Sequence, residues 1–382
     1  MQKKIHFQNL DGIRTVAFFA VFLCHSGYTE FNSIKESSIY KLIKFDVWNL
    51  GHIGVNLFFV LSGFLITYLL LIEENTHARI NIPKFYMRRI LRIWPLYFFC
   101  VFFGFIIFPQ LKTIFNQTPN ETANILYFIT FLSNFNTIQN GTPDSSVLSV
   151  LWSVSIEEQF YLFWPILIIL FKKYRPFLFV ILILFSLVFR YSNLGNNTTL
   201  DLHTFSAIND LSIGGLFAWL SYNSNSFIKS ITNLNKPKII IFYIIGFLVI
   251  AMTPHFENFA ILQTFERLIL SIFFIFIILE QNFSENSFYK FSNFKTITKW
   301  GKYTYGLYCL HFIGILIATN TTKLLKINTS LPSVLILDTI LALSITMCIS
   351  WISYNYFEKK FLKLKTKFDT HVIISHNSIP DK

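Results

Sequence analysis

Arg14 and His25 stand eleven positions apart inside the apolar stretch LDGIRTVAFFAVFLCH. On an α-helix eleven steps of about 100° return nearly to the same face, about 16 Å further along. An arginine fork suits an anion, and an imidazole that titrates near neutrality can take a proton. The pair can therefore line one inward cavity at different depths, Arg14 suited to an anion and His25 able to take a proton. Glu157 and Glu158 follow in LWSVSIEEQFYLFWP, flanked by the ring edges of Trp152 and Tyr161. Adjacent positions diverge by about 100°, so one carboxylate faces the cavity and the other a helix interface or water. Arg88, Arg89 and Arg92 cluster in FYMRRILRIWPLY, with Arg88 and Arg92 on one face at i, i+4 spacing, a geometry that suits phosphate groups.

Further ionisable side chains lie in apolar runs at Asp210, Glu266, Arg267 and His311. Each costs roughly 2.5–3.5 kcal/mol to place in a bilayer, which asks for a compensating role. The plainer alternatives are a snorkelling arginine, a histidine bonded to a neighbouring helix, a polar packing motif and a topogenic basic stop. In GHIGVNLFFVLSGFLI, the small residues Gly51, Gly54, Ser62 and Gly63 read first as helix packing, while Asn56 is placed to orient a histidine or a carboxylate.

The elements that must position these residues follow from composition. Of 382 residues, 53% are hydrophobic and 14% charged, with 46 Phe and a mean hydropathy of +0.51. A soluble domain carries about 25% charged residues, so a soluble or disordered chain is excluded. The expected fold is an all-α, polytopic transmembrane bundle. A span needs about 20 apolar residues, and ten windows come near that length: residues 10–28, 51–72, 91–108, 147–171, 177–191, 205–222, 239–254, 261–279, 303–319 and 334–354. The apolar stretch 123–135 is too short to cross and reads as re-entrant or interfacial.

With the amino terminus inside, 22 Lys and Arg residues fall on cytoplasmic segments against 6 on the outer ones, which places both termini in the cytoplasm. That topology accounts for the net charge of +12, and no basic, aromatic-interleaved helix suggests nucleic acid. Cys24, Cys100, Cys309 and Cys348 sit singly in apolar runs with no metal-ligand or disulfide spacing. The amino terminus lacks a cleavage site and reads as a retained first helix. Residues 1–358 form the membrane domain, and 359–382 a basic cytoplasmic tail that meets anionic lipid.

These segments together resemble the acyltransferase 3 family. The opening LDGIRTVAFFAVFLCH, the glycine-rich GVNLFFVLSGFLI, RRILRIWPLY and LWSVSIEEQFYLFWP are similar to its signatures, as are INDLSIGGLFA, WGKYTYGLYCLHF and SYNYFEKKF, all in family order. Two positions depart: Asn56 stands where the family usually has Asp, and Lys360 where it commonly has Pro. The resemblance implies a multi-pass protein of the bacterial cytoplasmic membrane that transfers an acyl group, commonly acetyl, from cytosolic acyl-CoA to a hydroxyl of a lipopolysaccharide, exopolysaccharide or other envelope glycan. It implies that Arg14, Arg88, Arg89 and Arg92 hold the CoA phosphates and that His25 is the base. Glu157 would orient His25 or the acceptor. Asn56, Ser62, Trp152, Tyr161 and His311 would line the substrate cavity, with direct transfer and a covalent acyl-enzyme on a hydroxyl such as Ser62 as alternatives. No metal is implied. No soluble hydrolase domain is visible, so a separate partner is expected to supply acceptor specificity. The competing class is a transporter or flippase, since intramembrane charges also mark substrate pathways, but no pair of inverted halves is visible.

Overall fold

The computed structural model describes residues 7–369, so the first six residues and the tail beyond 369 lie outside the described part of the chain. Among the described residues, ten helices of at least 14 residues carry the fold. They are α1 (Gln8–His25), α2 (Gly51–His77), α3 (Ile82–Phe102), α4 (Leu151–Leu170) and α5 (Arg175–Ser192), then α6 (Thr204–Asn223), α7 (Lys236–Met252), α8 (Ala260–Phe283), α9 (Thr304–Leu324) and α10 (Thr339–Ile352). A short α11 (Lys359–Lys365) follows. Among the described residues there is no β-strand.

Among the described residues, seven helical runs are long and apolar enough to cross a membrane: Ser38–His77, Ile82–Ile114, Ser146–Leu170, Arg175–Ser192, Lys236–Asn258, Ala260–Phe283 and Ser333–Phe368. The other three expected spans, now α1, α6 and α9, form helices of 18, 20 and 21 residues but carry more polar side chains. All three pack against neighbouring helices, with Asp11, Thr15, Asn209, Asp210, Thr304 and His311 buried. A helix screened from lipid by its neighbours can be polar, because its side chains find partners in protein.

Several helices overrun the apolar windows. α3 begins at Ile82 rather than near residue 91, because the Asn81 side chain accepts from the Lys84 N–H and Pro83 occupies the first turn. α2 runs on to His77 and closes at Ala78 in the left-handed region, at φ 58°. The stretch 123–135 is no single element; it forms part of two short helices, Ile125–Ile129 and Ser133–Asn140. π-helical turns at Phe103–Ile107 and Ser353–Glu358 extend α3 and join α10 to α11.

The centre is a tightly packed layer of α1, α2 and α6. A Cβ at Gly63 would sit 2.1 Å from the Leu211 carbonyl oxygen, and one at Gly54 would sit 2.6 Å from that of Ala17. Small residues here let backbones touch. Gly63→Ala is therefore expected to destabilise the protein by about 1–3 kcal/mol through overpacking, read as a lower midpoint in thermal unfolding in detergent; an unchanged midpoint would mean that α2 and α6 separate freely.

Polar ties cross the same layer. Arg267 Nη2 lies 2.8 Å from Asp210 Oδ2, which also accepts from Asn56 Nδ2 at 3.1 Å, while Ser271 Oγ donates to Oδ1 at 2.9 Å. Asp210 is fully buried, and this set joins α2, α6 and α8. Arg190 of α5 is likewise buried and donates to the carbonyl oxygens of Leu200, Gln263 and Thr264. Both arginines answer the need to pair every polar group taken out of water.

Candidate active site

Two hollows lie along α1, one near each end. The larger, about 500 Å³, takes Arg14, Arg89, Arg92, Lys302 and Lys365 into its wall, together with Ser62, Glu157, Tyr161 and Glu358. The smaller, about 170 Å³, is lined by His25, Asn56 and Trp152, with His52, Glu266 and Arg267. Phe7, Lys365 and Asp369 all line the larger hollow, so the first and last described segments meet at the same end of the bundle.

The basic hollow begins with Arg14, whose Nη1 lies 2.6 Å from Asp11 Oδ1 one turn earlier. From α3, Arg89 places its guanidinium over the rings of Tyr161 and Phe85 at 5.4 and 5.7 Å. Its Nε is buried without a hydrogen-bond partner. A buried, unsatisfied donor on a cation is costly, and an anionic ligand oxygen would satisfy it. Arg92 shares the hollow one turn further along the same helix.

Arg88, expected beside them, is turned away. Its Nη2 lies 2.9 Å from Glu73 Oε2 and its Nη1 donates to the Phe368 carbonyl at 3.0 Å, so it ties α3 to α2 and to the segment after α11. The face that meets the hollow is set by Arg89 and Arg92 at i, i+3 rather than by the i, i+4 pair. Arg88→Gln should therefore lower stability by about 1–3 kcal/mol, the cost of leaving a buried group unsatisfied, with donor affinity unchanged in the folded fraction. A raised Michaelis constant for the donor at normal stability would return Arg88 to the binding surface.

At the inner wall of the basic hollow, Ser62 Oγ donates to Glu157 Oε1 at 2.5 Å and accepts from Tyr161 OH at 3.2 Å. Glu158 points elsewhere and accepts from Trp94 Nε1 at 2.8 Å. The π-helical turn before α11 brings Glu358 to the same hollow, where it accepts from Ser353 Oγ at 2.9 Å.

The smaller hollow holds the imidazole. His25 ends α1, and its Nδ1 lies 2.9 Å from Nε2 of His311, with the ring planes 12° from parallel. His311 Nδ1 is 2.6 Å from the Tyr308 carbonyl oxygen. A carbonyl oxygen only accepts, so His311 Nδ1 carries the proton and, in the neutral ring, Nε2 accepts. The bond from His25 must then be donated by its Nδ1–H, which leaves His25 Nε2 as the basic nitrogen. Two fixed hydrogen bonds thus set one tautomer of His25.

This geometry corrects the expectations for Arg14 with His25, for Glu157, for His311 and for Trp152 with Tyr161. Arg14 and His25 do not line one cavity; they line two, because the path between them along α1 is interrupted by a wall. Glu157 lies on the basic side, bonded to Ser62, and does not orient His25; His311 does. His311 is fully buried behind His25 and lines neither hollow. Asn56, by contrast, lines the smaller hollow and holds a carboxylate as expected, that of Asp210. Trp152 and Tyr161, both expected in one cavity, are split between the two.

Other lining residues had no role in the sequence reading. Lys302 and Lys365 entered it only as topological charges, although Lys302 stands within WGKYTYGLYCLHF. Glu266 and Arg267 stand out by their charge in an apolar run, but nothing in one sequence shows that they line one hollow with His52 and His25.

A helical membrane bundle with a basic hollow on one side of a thin wall and an oriented imidazole on the other is built for group transfer, and it is an integral membrane protein. The chain belongs to the acyltransferase 3 family, whose model, described as an acyltransferase domain, matches residues 7–355. It is similar to the peptidoglycan O-acetyltransferase OatA of Listeria monocytogenes, 30% identical over 172 residues covering 44% of this chain and 25% of that one. It is also similar to the O-acetyltransferase OatA of Staphylococcus aureus, 28% identical over 280 residues covering 69% of this chain and 45% of that one. The chain therefore spans less than half the length of these curated relatives. No solved structure matches.

Proposed function

We propose that this protein is an O-acyltransferase that moves an acyl group, acetyl above all, from cytosolic acyl-CoA to a hydroxyl of a cell-wall or other envelope glycan. In this reading α1 to α10 all cross the bacterial cytoplasmic membrane, both termini face the cytoplasm, the basic hollow opens inward and the histidine hollow outward. The meeting of the first and last described segments at the basic end supports that sidedness, and so does the concentration of Lys and Arg on the segments around it.

The observation that carries the reading is the pairing of His25 with His311 across the wall from Arg89 and Arg92. Arginine forks hold the donor's phosphates, and His25 Nε2 takes the proton of the acceptor hydroxyl. The hydroxyl oxygen forms a C–O bond to the thioester carbonyl carbon, the C–S bond breaks, and the thiolate receives the proton from Nε2. Ser62 lies on the basic side, bonded to Glu157 rather than to either histidine, which favours direct transfer over an acyl-enzyme on Ser62. The names of the two relatives favour a cell-wall glycan as acceptor.

Mass spectrometry of the envelope glycans in cells with and without this protein tests the reading. Base-labile acetyl esters should disappear from one glycan when the protein is absent and return on complementation. Identical glycan ester content in the two strains would refute the proposal, and loss of the whole glycan from the surface would favour a flippase.

A further inference from the structure

Two side chains, Val55 and Tyr308, line both hollows. The basic and histidine sides therefore adjoin at these two side chains. Both residues are buried, at 5% and 8% exposure. Neither is free to swing aside. Tyr308 OH pairs with Ser153 Oγ at 2.6 Å and reaches the Val150 carbonyl at 3.3 Å, and its ring meets Phe58 edge-on at 5.9 Å. Its own carbonyl holds His311. Val55 is fixed from the backbone, since the adjacent Gly54 lies against α1 too closely to admit even a Cβ.

A donor large enough to occupy the 500 Å³ hollow cannot enter one of 170 Å³. Its thioester carbon must nevertheless come within reach of a hydroxyl poised at His25. The acyl group is the part of the donor that meets both conditions, so it lodges between Val55 and Tyr308, where the hollows adjoin, with sulfur on the basic side. We propose that Val55 and Tyr308 form an acyl-size filter that admits a two-carbon acyl thioester and rejects bulkier ones, a substrate selection that rests on the donor reading given above. Substituents on the acyl α-carbon press on the Val55 methyl groups, and the fixed tyrosine ring leaves them no other way out.

The test compares acetyl-CoA, propionyl-CoA and isobutyryl-CoA as donors for wild type, Val55→Ala and Val55→Ile in reconstituted vesicles. Val188→Ala, the same change on an exposed face of α5, serves as control. One methylene in a fitted apolar pocket changes kcat/KM by about 10- to 200-fold. Val55→Ala should therefore raise the propionyl-to-acetyl ratio of kcat/KM at least about tenfold, and Val188→Ala should not move it. Val55→Ile should lower the same ratio at least about tenfold, which keeps the test open if the alanine variant fails to insert. An unchanged ratio in an inserted Val55 variant that still transfers acetyl overturns the filter and leaves the acyltransferase reading standing. Absence of transfer from every acyl-CoA by the wild type overturns both.

Discussion

His25→Ala is expected to reduce acyl transfer about 100-fold or more, the usual loss when a positioned general base is removed, while the protein still inserts and binds its donor. The expectation follows from the fixed tautomer. Because the Tyr308 carbonyl holds the His311 proton and His311 Nε2 receives the His25 Nδ1–H, Nε2 is left as the basic nitrogen of His25, which lines the smaller hollow. Alanine removes that base but leaves the basic hollow intact, so single-turnover measurements should show normal donor binding and a slow chemical step. Turnover near that of the wild type would dismiss His25 from the mechanism.

The second large effect lies across the wall. Arg89→Gln with Arg92→Gln removes two cations from the same hollow, one of which has a buried donor awaiting a partner. Charge-assisted hydrogen bonds contribute about 1.5–3 kcal/mol each, so the double variant should raise the Michaelis constant for acyl-CoA by about 10²- to 10⁴-fold. The rate constant at saturation should fall far less, since neither side chain lies on the histidine side. An unchanged donor affinity in a correctly inserted double variant would leave both arginines a purely topological role.

The sequence revealed the class of fold because apolar windows of membrane length and a basic bias of alternate loops are local properties. It marked several of the side chains that line the two hollows as well, since an ionisable group in an apolar run is conspicuous wherever it sits. Their assignment to partners was not legible. Helical periodicity put Arg14 and His25 on one face, but Val55 and Tyr308, which divide that face into two hollows, come from α2 and α9, far apart in sequence. The i, i+4 rule favoured Arg88 with Arg92, whereas the rotation of α3 about its own axis, set by packing of Phe85, Ile93 and Tyr97 into the core, turns Arg89 inward and Arg88 toward Glu73. The bond between Asn56 and Asp210 joins residues 154 positions apart, beyond the reach of any local rule. The windows 10–28, 205–222 and 303–319 did mark helices, α1, α6 and α9, but not that their polar side chains would be matched by other helices.

The most direct measurement places purified protein in vesicles with acetyl-CoA radiolabelled in the acetyl group on one side and a cell-wall glycan on the other. The account predicts ester-linked label on the glycan, released by mild base, formed only when donor and acceptor occupy opposite sides and strongly reduced in the His25→Ala protein. Glycan that stays unlabelled while the active wild-type protein carries it across the bilayer would contradict it and establish transport instead.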